Sequence, residues 1–193
     1  HHGDKVAPLS GFGLNARPFP LPVEGELATV YDEGDLKIQA LVVDHDPVKP
    51  AVGYLFTYKD RSLLISGDTA KSANLQHFAQ GVDLLVHEAL ARNIVGLMHD
   101  TATKAGLEGL AKITFDIQDY HASPAEAAEI ARDAGVGHLL YYHIVPPLIF
   151  PGMDAVWLEG VNEVFPNHTL GQDGTTFSLP AGSTETHLIR KSM

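Results

Sequence analysis

Four short apolar runs in this chain each finish on an ionisable side chain. LVVDH ends at His45, LLISGD at Asp68, DLLVHE at His87 and Glu88, and HLLYYH at His143. Each run has the length of a buried strand core, so each leaves an imidazole or a carboxylate at the carboxyl end of a strand. In layered α/β proteins, ligands gather beyond those ends. Burying one such group without a partner costs several kcal/mol, and several at one sheet edge cost less if they share a cation. Imidazole nitrogen and carboxylate oxygen suit zinc and other borderline divalent ions. The chain has no cysteine, which excludes thiolate sites, disulfides and a cysteine nucleophile. Any metal must therefore be held by His, Asp and Glu. Asp68 lies in Ser-Gly-Asp-Thr, where Gly67 lets the backbone turn tightly before the carboxylate. Two carboxylate oxygens can bridge two metals, and a pair about 3.5–4 Å apart clamps the attacking and leaving oxygens of a displacement.

Each feature alone has a plainer reading. A single strand-terminal histidine is often a solvated cap, and Ser-Gly-Asp-Thr is a common turn. His87 and Glu88 can be a surface pair. His121, in DYHASP, can simply precede the helix that follows. It is the coincidence of several such strand ends that favours a shared site. His77, His99, His138, His168 and His187 read as structural or surface residues, and Tyr141 and Tyr142 as packing.

The elements that must hold these residues follow from hydrophobic period and turn residues. Residues 1–25 are rich in Gly and Pro and read as loop or extended chain. ELATVYDEG and DLKIQALVVD predict two strands, and AVGYLFTYKDRSLLIS a hairpin with Lys59-Asp60 at its tip, together an antiparallel sheet. SANLQHFAQG has helical spacing at Leu75, Phe78 and Ala79, with Gly81 as a stop. VDLLVHE is a short strand. Residues 89–111 predict helix with a break near Asp100-Thr101. SPAEAAEIARDAG predicts a helix with Ser123 as N-cap, Pro124 in the first turn, Glu126 closing a capping box and Gly135 as the stop. HLLYYH is a strand, MDAVWLEGVNEVF an amphipathic C-terminal helix, and TTFSLP a last strand. No repeat or linker divides the 193 residues, which fit one domain with a sizeable core.

Thirteen Lys and Arg stand against 24 Asp and Glu, a net charge of −11. Nucleic-acid binders gain affinity from basic contacts to phosphate, so an acidic chain without basic clusters favours a small-molecule ester over nucleic acid. No apolar run approaches the ~20 residues of a membrane span, and no signal peptide opens the sequence. The expectation is a cytoplasmic protein without a membrane partner.

VVDHDPVKPAVGYLF, LLISGDT, GVDLLVHEA, YHASPAEAAEIARDAGV and HLLYYHIVPP, in that order, resemble the metallo-β-lactamase superfamily, in the branch of ribonuclease Z and arylsulfatase-type hydrolases. The likeness spans roughly residues 36–150. It implies an α/β fold, an αββα sandwich, with two metal ions at one edge of the sheets, usually Zn2+, with Mn2+ or Fe as alternatives. By position, the resemblance makes His45, Asp68 and His143 metal ligands, with Asp68 bridging. His121 corresponds to the histidine beside the leaving group. His87 and Glu88 match a His-Glu-Ala motif that supports the site from behind the ligands. The superfamily's His-x-His-x-Asp-His motif is not found, since HHGD at the start does not have its spacing. The single domain over 1–193 is therefore expected to be the carboxyl-terminal part of a sandwich that is incomplete in this chain. An incomplete sandwich predicts self-association, with a homodimer as one form.

The implied activity is hydrolysis of a phosphodiester, sulfate ester or related ester by metal-activated water. The rival is a non-catalytic domain, truncated or degenerate, kept for binding or assembly. The missing motif favours the rival; the intact Ser-Gly-Asp-Thr and strand-terminal histidines favour the enzyme.

Overall fold

The computed structural model describes residues 16–190, so HHGD lies outside the described residues. Four antiparallel strands come first: β1 (Ala28–Glu33), β2 (Leu36–Val42), β3 (Val52–Tyr58) and β4 (Arg61–Ile65). Lys59 turns the β3–β4 hairpin with φ 55°, at the tip expected from Lys59-Asp60. Helix α1 (Ala73–Phe78) then carries the chain to β5 (Leu84–Leu90), which lies parallel to β4. Helices α2 (Arg92–Lys104), α3 (Glu108–Asp116) and α4 (Pro124–Asp133) precede β6 (His138–Val145), which is parallel to β5. Short helices α5 (Met153–Trp157) and α6 (Val161–Val164) lead to β7 (His168–Leu170), and the chain continues into a separate ribbon of β8 (Thr176–Ser178) and β9 (His187–Arg190). The main sheet has seven strands in sequential order from β1 to β7.

Strand pairing sorts the side chains between two faces. Leu55 pairs with Leu64, Leu64 with Leu85, and Leu85 with Leu139, so these residues share one face. Helices α1 and α4 cover that face. Leu75, Ala127, Ala128, Ile130 and Ala131 join Leu64, Leu85, Leu139 and Tyr141 in one buried cluster. The other face carries Tyr54, Phe56, Leu63, Ile65, Val86 and Leu140, which are only half-buried. The second face is as apolar as the first but is not buried to the same depth.

Helix α4 has the expected ends. Ser123 Oγ accepts from the Glu126 amide at 3.2 Å, and Glu126 Oε2 accepts from the Ser123 amide at 2.8 Å. Three expectations need correction. The helix through residues 92–104 does not break at Asp100-Thr101. The Thr101 hydroxyl donates back to the Leu97 carbonyl at 2.8 Å and so stays within the helix. The break falls at 105–107, where the Leu107 amide closes on the Ala102 carbonyl. The C-terminal helix is two short helices, because Gly160 adopts φ 78° between them. Strands β7 and β9 were not foreseen, both being very short. The β8–β9 ribbon is tied to the β3–β4 hairpin by Arg61, which donates to the carbonyls of Ser183 and Glu185 and pairs with Asp83 at 3.1 Å.

Candidate metal centre

The chain ends of β2, β4, β5 and β6 meet at one edge of the sheet, and the loop before α4 joins them. His45 follows β2. Its Nε2 lies 3.9 Å from Asp68 Oδ2, and its ring packs against those of Tyr120 and His121 with centroids 4.9 and 5.1 Å apart. Asp68 follows β4. Gly67 adopts φ 65°, and a Cβ there would meet the Val52 carbonyl oxygen at 2.4 Å, so only glycine passes this turn without moving β3. His143 lies in β6, at the position where the register with β5 shifts between Glu88 and Ala89. It adopts φ 43°, which is uncommon for a residue with a Cβ. A bulge of this kind re-aims a side chain, and His143 Nδ1 comes within 3.7 Å of Asp68 Oδ1.

Glu88 is fully buried at the end of β5. Its Oε1 accepts from the amides of Thr69 at 3.1 Å and Ala122 at 3.2 Å, so one carboxylate oxygen holds the loops after β4 and before α4 together. His121 Nδ1 lies 3.1 Å from the same oxygen, close enough for an ion pair but without hydrogen-bond alignment. The ligand atoms of Glu88, His121 and His143 all lie within 4.8 Å of one another. His121 and His143 stack with centroids 5.7 Å apart.

His45, Asp68, Glu88, His121 and His143 are therefore brought together. His87 is not. Alternation along β5 puts it on the helix-covered face beside Tyr141, its register partner. There its Nδ1 bonds to the Glu88 carbonyl oxygen at 2.6 Å. Burial pushes its pKa below the ordinary histidine value, against the opposing pull of that carbonyl and of the Glu88 and Glu126 charges. Burial likewise raises the Tyr142 hydroxyl, with the charges of Asp68 and Glu88 adding to the effect and Ser66 opposing it.

Two residues outside the expected set organise the site. Thr69 Oγ1 donates to the Asp44 carbonyl and accepts from the Asp44 amide, each at 3.1 Å, and the Thr69 carbonyl accepts from Ala122 at 2.8 Å. It thereby joins the His45, Asp68 and His121 loops. Its signal in the sequence is its place directly after Asp68. Arg92 binds the His121 carbonyl at 2.9 Å, and no local pattern marks it.

The residues fit a divalent cation. Among the described residues, His45 Nδ1, Glu88 Oε2 and His121 Nδ1 are buried without a hydrogen-bond partner. Asp68 Oδ2 and Oδ1 stand 3.9 and 3.7 Å from His45 Nε2 and His143 Nδ1, a separation suited to donors that share a cation between them.

A family model for the Beta-lactamase superfamily domain matches residues 4–144. The chain belongs to this superfamily. Its curated relatives include a protein named ribonuclease Z from Mycobacterium sp. (strain KMS). The two are 34% identical over 177 residues, which cover 90% of this chain and 54% of that protein. Ribonuclease Z of Mycobacterium avium (strain 104) is 34% identical over 157 residues, 81% of this chain and 49% of the relative. The chain thus spans about half the length of these relatives. Among solved structures, the metallo-beta-lactamase fold protein YhfI from Bacillus subtilis superposes with a TM-score of 0.51 at 20% identity. The match covers 76% of this chain and 49% of that one. That likeness supports the α/β metallo-β-lactamase fold of this chain.

Proposed function

We propose that this superfamily domain belongs to a metal-dependent hydrolase of phosphodiesters. The carrying observation is the approach of Asp68 to His45 Nε2 at 3.9 Å and to His143 Nδ1 at 3.7 Å at the carboxyl edge of the sheet, with Glu88 and His121 enclosed beside them. The chain's similarity to proteins named ribonuclease Z supports a phosphodiester rather than a sulfate ester.

His45, Asp68 and His143 are the ligands we assign to metal, with Zn2+ the first choice for an all His/Asp donor set. Such an ion, when bound, polarises a phosphoryl oxygen and lowers the pKa of water. The chain's own residues then orient and move protons. Asp68, with two exposed oxygens facing His45 and His143, holds the charged centre of the site. Glu88, fixed by two backbone amides, sets a carboxylate 3.1 Å from His121 Nδ1, where it favours the imidazolium. Nε2 lies across the ring and delivers a proton to the leaving-group oxygen. A positioned acid of this kind is worth about 10²–10⁴-fold. Tyr120 packs on both His45 and His121, whose own rings meet edge-on with centroids 5.1 Å apart.

The test is calorimetric titration of Zn2+ into the chain and into its His143→Ala variant, paired with hydrolysis of bis(p-nitrophenyl) phosphate. Zn2+ binding that weakens at least tenfold in the variant supports the assignment. Equal binding in both chains sinks it. Hydrolysis of a sulfate ester at a higher kcat/KM than the phosphodiester would move the substrate class.

A further inference from the structure

Arg92 is the first residue of α2, and its guanidinium reaches three other segments. Nε donates to the Gln118 carbonyl at 3.2 Å, just past the end of α3. Nη2 donates to the His121 carbonyl at 2.9 Å. Nη1 pairs with Glu126 Oε2 at 2.7 Å, in the first turn of α4, and the same oxygen accepts from the Ser123 amide. One planar fork thus joins the start of α2, the end of α3, the His121 loop and the cap of α4. Lysine offers a point charge on a flexible stem and cannot hold three acceptors in this geometry.

The two flanks of His121 are held differently. On the carboxyl side, Ala122 donates to Thr69 at 2.8 Å and accepts from Leu90 at 2.8 Å, so it is stitched between two strand ends. On the amino side, the backbone bonds of Gln118 and Asp119 are turn contacts of 3.4 Å, at the weak end of the range. Arg92 adds bonds to the Gln118 and His121 carbonyls on that side, beside the Gln118 side chain's own bond to the Thr114 carbonyl at 2.7 Å. Its guanidinium therefore ties the amino side of the His121 loop to α2 and α4, next to the ring that lies beside Glu88 at 3.1 Å.

We infer that Arg92 is a positioning residue for His121. It acts through the His121 backbone and touches no reacting atom. The inference rests on the reading of His121 as the proton donor, but its structural part can be tested without turnover.

The experiment uses the full chain with Arg92→Ala, Arg92→Lys and Glu126→Gln, each read two ways. In the metal-free protein, amide hydrogen exchange across residues 117–122 should quicken at least tenfold in Arg92→Ala, a loss of about 1.4 kcal/mol of local protection. Peptides from β5 and the body of α4 should exchange as in the parent. With Zn2+ added, kcat for bis(p-nitrophenyl) phosphate should fall about 10²-fold with KM within about twofold, the size of effect expected when a reacting group is misplaced by about 1 Å. Methylguanidinium should restore part of both signals in Arg92→Ala. Lysine at this position should rescue neither fully. Glu126→Gln breaks the ion pair and leaves the bond to the His121 carbonyl, so its 117–122 exchange should stay within about twofold of the parent. Unchanged exchange in Arg92→Ala overturns the inference, and so does an equal effect in Glu126→Gln. Full turnover in His121→Ala would instead defeat the proton-donor reading, while the exchange result would still decide what Arg92 holds.

Discussion

The two halves of the candidate site are built in opposite ways. Glu88 and His121 are almost wholly enclosed, with side-chain exposures of 0% and 8%, and the Glu88 carboxylate is locked by two backbone amides. Asp68 and His143 are each 43% exposed and approach each other only to 3.7 Å, beyond hydrogen-bonding distance. The first half is fixed through the Glu88 Oε1 bonds to the Thr69 and Ala122 amides, although Glu88 Oε2 and His121 Nδ1 have no hydrogen-bond partner among the described residues. The second half sets its donors at the spacing of groups that share a third partner. A preorganised proton relay needs the former arrangement, because a misplaced acid loses most of its effect. An ion that enters from solvent needs the latter.

The largest expected break of this contrast is Asp68→Ala. It should reduce Zn2+-dependent hydrolysis of bis(p-nitrophenyl) phosphate to background while the thermal midpoint moves little, since the side chain is exposed and makes no hydrogen bond that folding depends on. Full activity in this variant would end the assignment of Asp68 as a ligand.

Glu88→Ala should instead damage both properties. The Thr69 amide would be left facing a cavity, at about 1–3 kcal/mol, while Ala122 keeps its 2.8 Å bond to the Thr69 carbonyl, and His121 would lose the neighbouring carboxylate. Urea denaturation measures the first effect, and kcat the second. A stability loss as small as that of Asp68→Ala would show that the two halves are not built differently.

A pH series sharpens the comparison further. His87, beneath the enclosed half, has its pKa lowered by burial from the ordinary 6.5. Below about 6.5 the unfolded chain takes up a proton that the folded chain resists, so His87 makes stability fall as pH drops from 7 to 5. Replacing it in His87→Leu should flatten that fall in urea midpoints measured at the two pH values. An unchanged slope would show that this imidazole is not held neutral.

The smallest effect belongs to Ser123→Ala. Removing the cap of α4 should cost about 1 kcal/mol and lower the thermal midpoint modestly. Turnover should hold, because the Ala122 bonds that seat the His121 loop are independent of the Ser123 hydroxyl.

Much of this architecture was legible in local pattern. The capping box of α4, the hairpin tip at Lys59 and the tight turn at Gly67 follow from short-range rules of turn chemistry, whereas none of the four strands ends on its ionisable group: β2 and β4 stop three residues before His45 and Asp68, and β5 and β6 run two residues beyond Glu88 and His143. Other features were not. Thr101 reads as a helix breaker, yet its hydroxyl satisfies itself against Leu97 and the helix runs on. Gly160 divides a helix whose apolar spacing looks continuous. His87 and Glu88 read as one motif, but adjacent residues on a strand face opposite ways, so only Glu88 reaches the site.

By itself the sequence determined which ionisable side chains lie within three residues of strand ends, that cysteine takes no part, and that a tight glycine turn precedes Asp68. These are properties of residue order, set by local sterics and by the two-residue period of a strand. Only the tertiary structure decided that those ends meet, that β6 bulges to turn His143 toward Asp68, and that Arg92 and Thr69 hold the loops in place. Those contacts join residues distant in the chain, Asp44 to Thr69 across 25 positions and Asp68 to His143 across 75, and such proximity depends on how the sheet pairs and which face the helices cover.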